Sequence, residues 1–145
     1  MRGHSGGGLS MGRGFSIVSS TKQKLNTRSS TEMEVVGANN FVLATCWTRC
    51  FVLAQGHDAI DNILFQDDKS AMLLEKNGKA SSSKRTKHMN IQHFFATDGI
   101  DKGEVSVAWC FTGNMTGDFM TKPLQGALFC EFRDHIVGVV LMQDP

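Results

Sequence analysis

The chain has 145 residues, 41% of them hydrophobic and 20% charged, with 15 Lys and Arg against 14 Asp and Glu. That length fits one globular domain able to bury about two thirds of the surface its unfolded chain exposes, and a net charge of +1 excludes bulk polybasic or polyacidic behaviour. No run of about 18 apolar residues is present to span a bilayer, and the opening MRGHSGGGLSMGRG lacks an apolar stretch of signal-peptide length. The expectation is an intracellular protein, cytoplasmic or nuclear, with no membrane partner.

Gly6-Gly7-Gly8 and Gly12-x-Gly14 punctuate the start, so LSM and FSIVSS read as two short strands joined by a tight turn. Lys22 to Ser30 is polar and reads as a loop. Ser29-x-x-Glu32 and Thr31-x-x-Glu34 both match a capping box and open a long helix. Its apolar positions, Met33, Val36, Phe41, Ala44, Trp47, Phe51 and Ala54, run to Gln55-Gly56. Gly37 and Asn39-Asn40 are expected to loosen its middle.

Asp61 to Gln66 reads as a buried strand running into Asp67-Asp68, and Ser70 to Lys76 as a short helix closed by Asn77-Gly78. A polar, basic loop, ASSSKRTKH, leads to a helical stretch, MNIQHFFATDGI. Glu104 to Cys110 alternates, with Val105, Val107 and Trp109 on one face, and is expected to be a strand. Beyond Pro123 and Gly126, Leu128 to Leu141 reads as the last helix. The order strand, strand, helix, strand, helix, helix, strand, helix predicts an α/β fold with helices covering a mixed sheet.

The charge is unevenly laid out. Arg2, Arg13, Lys22, Lys24 and Arg28 give the first 30 residues +5, and Lys76, Lys79, Lys84, Arg85 and Lys87 give a second block +5, so the remaining 102 residues carry −9. Basic stretches beside an acidic body suit a polyanion track bordering a carboxylate cluster. Solvated loops rich in Ser and Lys have the same composition. Cys46, Cys50, Cys110 and Cys130 form no C-x-x-C pair, and the five His show no ligand spacing. Free thiols are expected, most of them buried as small apolar groups.

Three acids stand at element ends: Glu32 in the first turn of the long helix, Asp67 at the end of a buried strand, and Asp118 in a loop or helix start near the C-terminus. Strand ends and helix starts face the ligand crevice in open α/β sheets, and carboxylates that converge there are stabilised by a hard cation such as Mg²⁺. A pair of such ions clamps the attacking and leaving oxygens of a phosphodiester. Spacing alone equally allows Glu32 as a cap, Asp67 as a solvated strand-end acid and Asp118 as a helix cap.

Four strings go beyond spacing: KQKLNTRSSTEME (Lys22 to Glu34), WTRCFVLAQG (Trp47 to Gly56), QDDKSAMLLEKNGKASSSKRTKH (Gln66 to His88) and GDFMTKPLQG (Gly117 to Gly126). In collinear order, they resemble the ribonuclease H domain that follows reverse transcriptase in copia-type retrotransposon polyproteins. The resemblance covers residues 1 to about 138 and implies a ribonuclease H-like mixed sheet with flanking helices. The domain would occupy residues 1–142, with an unmatched tail at 143–145. The implied activity is cleavage of the RNA strand of an RNA–DNA hybrid by four carboxylates and two Mg²⁺ ions.

Carried over residue by residue, Glu32 matches the Glu of S-S-T-E, Asp67 the first acid of the Q-D segment and Asp118 the Asp of D-F-x-T-K. These three are the implied catalytic and metal-binding residues. The implied nucleic-acid contacts are Lys22, Lys24, Arg28, Lys79, Lys84, Arg85 and Lys87, made to phosphates and not to bases. His88 matches the family's K/R-R-x-R-H segment, as a substrate contact or a packing residue.

The family's fourth carboxylate, an Asp on the first, central strand, would precede the stretch matched by Gly3-His4-Ser5-Gly6-Gly7. Only Met1 and Arg2 stand there, and no acid occurs before Glu32. The resemblance therefore implies a fold lacking its first strand and a site with three of four carboxylates, inactive by itself. The strand hairpin would be left with an unpaired edge. The expected partners are an RNA–DNA hybrid or other nucleic acid, and the reverse transcriptase portion of a polyprotein. A non-catalytic nucleic-acid-binding module and an open reading frame without function are the alternatives.

Overall fold

In the computed structural model, which describes residues 2–26, 30–58, 61–77 and 95–140, the elements follow the predicted order. They are β1 (Arg2–Ser10), β2 (Phe15–Asn26), α1 (Ser30–Ala54), β3 (Ile63–Gln66), α2 (Lys69–Asn77), α3 (Phe95–Asp101), β4 (Ser106–Trp109) and α4 (Gly126–Ile136). Two short 3₁₀ turns, Thr112–Asn114 and Thr116–Met120, precede α4. The fold is mixed α/β. As expected for a mixed arrangement lacking its central strand, the described strands form two pairs, β1–β2 antiparallel and β3–β4 parallel. The chain divides into two compact units, Met1–Thr27 with Phe111–Pro145, and Arg28–Cys110.

In the first unit, Gly12 and Gly14 turn the chain between β1 and β2 with φ of 105° and 74°, backbone that L side chains rarely adopt. β2 continues through residues expected to form a loop because β1 supplies the ladder: His4 pairs with Lys22 and Arg2 with Asn26. The pleat buries Gln23, whose Nε2 donates to Ser5 Oγ at 2.6 Å, and leaves Lys22 and Lys24 exposed on the opposite face. Ser20 Oγ donates to the Met120 carbonyl at 2.6 Å and accepts from His4 Nε2 at 2.8 Å. These bonds tie the hairpin to the 3₁₀ turn that carries Asp118. The last helix is shorter than expected: it ends at Ile136, and Gly138 follows at a φ of 75°.

The second unit is built on α1. Val35 and Val36 pack with Ala71 and Leu74 of α2, and Val42 packs with Ala96 and Val105, backed by Cys46, Leu64 and Ile100. The buried stripe is thus Val35, Val36, Ala38, Asn39 and Val42, which corrects the expected face. Trp47 and Phe51 are 66% and 51% exposed, and Ala54 is exposed as well. The residues that α2 and α3 pack on are Val35, Val36 and Val42, backed by Cys46. Asn39 tightens the middle of α1 where loosening was expected. Its Nδ2 donates to Val35 O at 2.8 Å and its Oδ1 accepts the Ala96 N–H of α3 at 2.9 Å.

All four cysteines are free, but only Cys110 is buried; Cys50 and Cys130 are exposed and Cys46 is intermediate. The alternation expected over Glu104 to Cys110 holds for Val105 and Val107 and fails at Trp109, which is 46% exposed. No described helix is long and apolar enough to cross a membrane.

Candidate active site

Glu32 sits in the first turn of α1 and is 2% exposed. The helix begins at Ser30, so Thr31 lies within the first turn and is not its cap; the Thr31-x-x-Glu34 box is not used. Ser29, the start of the other box, lies outside the described residues. Freed from capping, the Thr31 hydroxyl donates to Asp68 Oδ2 at 3.1 Å. Glu32 and Asp67 therefore flank a hydrogen bond that fastens the start of α1 to the corner between β3 and α2.

That corner is built by two side chains which sequence reasoning passed over. Gln66, buried at the end of β3, accepts the N–H groups of Asp67 at 3.0 Å and Asp68 at 3.3 Å on its Oε1. Asp68 then caps α2, its Oδ1 accepting from the N–H groups of Ser70 at 2.8 Å and Ala71 at 3.2 Å. The signal for this cap was present in the sequence, an Asp just before the apolar period of α2.

Beneath the corner lies Glu75, 1% exposed. Its Oε1 accepts from Gln66 Nε2 at 3.5 Å, and its Oε2 has no hydrogen-bond partner among the described residues. Burial pushes this carboxyl up from 4.5 to about 7, against the Gln66 hydrogen bond, while Glu34 and Asp68 add to the rise and Lys76 opposes it. Glu75 is thus largely neutral at mildly acidic pH.

Asp118 belongs to the first unit. It lies inside the 3₁₀ turn Thr116–Met120, not in a loop, and its carbonyl accepts from the N–H groups of Thr121 and Lys122. Its Oδ2 pairs with Lys122 Nζ at 2.6 Å, with the Asp118 side chain 17% exposed. An ammonium competes with a cation for this carboxylate. Among the described residues, no group of three or more His, Cys, Asp or Glu side chains could hold a metal ion.

Of the expected nucleic-acid contacts, Lys22 and Lys24 lie exposed on β2, whereas Arg28, Lys79, Lys84, Arg85, Lys87 and His88 lie outside the described residues.

No family model matches the chain, and no solved structure does. The chain is similar to the retrovirus-related Pol polyprotein from transposon TNT 1-94 of Nicotiana tabacum. The two are 26% identical over 117 residues, which is 81% of this chain and 9% of that polyprotein. The likeness is therefore to a retrotransposon Pol polyprotein, of which this chain spans a small part.

Proposed function

We propose that this chain is a remnant of a retrotransposon ribonuclease H domain that retains a nucleic-acid-binding surface and does not cleave RNA by itself. The observation that carries the reading is the likeness to a Pol polyprotein over 81% of the chain, together with the motifs around Glu32, Asp67 and Asp118. The Thr31–Asp68 hydrogen bond, between the sequence neighbours of Glu32 and Asp67, supports a reading in which the two acids serve phosphate chemistry. The lack of cleavage is read from Asp118, whose carboxylate is engaged by Lys122.

Binding without cleavage is what remains when phosphate contacts outlast a metal site. Lys22 and Lys24 on one face of β2 and the basic block Lys79 to Lys87 would neutralise backbone phosphates, so affinity should fall steeply with salt. Purified protein incubated with Mg²⁺ or Mn²⁺ and a labelled RNA–DNA hybrid should bind the hybrid at low salt and leave its RNA intact. Joint replacement of Lys84, Arg85 and Lys87 should weaken that binding. Cleavage that disappears on Glu32→Gln or Asp67→Asn would overturn the inactivity. A lack of binding at low salt would remove the nucleic-acid reading.

A further inference from the structure

The carboxyl ends of β3 and β4 carry a second pair of side chains beside the acids. Trp109 closes β4 directly opposite Gln66 in the parallel register, at the level from which the chain leaves β3 into Asp67. Val107 of the same strand and Val105 just before it are buried, yet nearly half of the Trp109 surface faces solvent. Lys69, exposed at the first position of α2, holds its Nζ 4.9 Å from the centre of the indole ring. The Asp68 cap fixes the helix start from which Lys69 projects.

A solvent-facing cation–π pair contributes little to folding. Its position does suggest a use, because open α/β sheets take their ligands outside the carboxyl ends of the strands. An ammonium offers a charge to a phosphate oxygen, and an indole offers a flat apolar face to a sugar or base. Both groups belong to the same compact unit as Asp67.

We propose that Lys69 and Trp109 form a nucleotide contact beside Asp67, the ammonium binding a phosphodiester oxygen and the indole packing on the adjoining ribose or base. This rests on the nucleic-acid reading above. It adds a contact outside both basic stretches. The ligand is a phosphodiester-linked ribonucleotide, whose source is either the RNA strand of a hybrid or single-stranded RNA.

The test uses the full chain with Trp47→Phe, which leaves Trp109 as the sole tryptophan. Its emission is followed during titration with an RNA–DNA hybrid and with single-stranded RNA of the same sequence. Binding should quench Trp109, and the arm that saturates at lower concentration identifies the source. Trp109→Leu should weaken binding about tenfold, with most of the loss restored by Trp109→Phe. Lys69→Gln, at an exposed position, should weaken binding a few-fold and lower the salt slope by about 1. Hybrid or RNA binding with unchanged Trp109 emission and undiminished affinity in Lys69→Gln would overturn the proposal and leave the nucleic-acid reading standing. Failure of the chain to bind either nucleic acid would bring down that reading and the proposal together.

Discussion

Thr31 Oγ1 donates to Asp68 Oδ2 at 3.1 Å, while the other oxygen of the same carboxylate caps α2 through the N–H groups of Ser70 and Ala71. One side chain thereby joins the first turn of α1 to the first turn of α2. Asp68→Ala removes both the cap and the link, and should lower stability by about 1–2 kcal/mol. Asp68→Asn keeps an oxygen for the cap and should cost less than half of that. Urea unfolding of the two variants checks the order, and equal losses would show that the cap contributes nothing.

Glu75 gives the fold a pH dependence with a definite sign. Its carboxyl is raised from 4.5 unfolded to about 7 folded, so between these values the native state holds a proton that the unfolded chain has lost. Stability from this group is full below pH 4.5, declines as pH rises, and is exhausted above about 7. The span corresponds to about 3 kcal/mol. Glu75→Gln removes the titration while keeping the shape. The difference in unfolding free energy between wild type and Glu75→Gln should slope downward across that window, and a flat difference would refute the assignment.

The order of elements was legible in the sequence because each has a strong local signal, whether alternation, a cap or a glycine turn. The extent of β2 was not, since Lys22 and Lys24 look like loop residues until β1 pairs beside them. The buried face of α1 was misread for a related reason. Helical period reveals an apolar stripe but not which part its neighbours will cover, and the described packing falls on Val35, Val36 and Val42. The places of Glu32 in the first turn of α1 and of Asp67 just after β3 were legible from motif and position. The residues that build their corner were harder to find, because Gln66 acts through hydrogen bonds that only folding brings together.

Asn39 acts as a remote cap for α3. The Ala96 N–H lies near the start of that helix as described, and Asn39 Oδ1 takes it at 2.9 Å from across the core. Asn39→Leu fills the space but strands a buried donor, at a cost of about 1–3 kcal/mol. Hydrogen exchange at the Ala96 amide should accelerate in this variant by more than global destabilisation explains. Unchanged protection there would mean that the amide finds another acceptor.

Leu43, Trp47 and Phe51 stand four residues apart along the second half of α1 and are 60%, 66% and 51% exposed. Trp47 and Phe51 stack with ring centres 5.6 Å apart and planes within 9°. Because these side chains already face water, replacing all three with Gln removes little burial. Each change should alter stability by no more than about 0.5–1 kcal/mol. Exposed apolar side chains in a row favour association between molecules, so the triple variant should show weaker concentration-dependent light scattering than the wild type. A large loss of stability would instead mean that the stripe is covered within the folded chain.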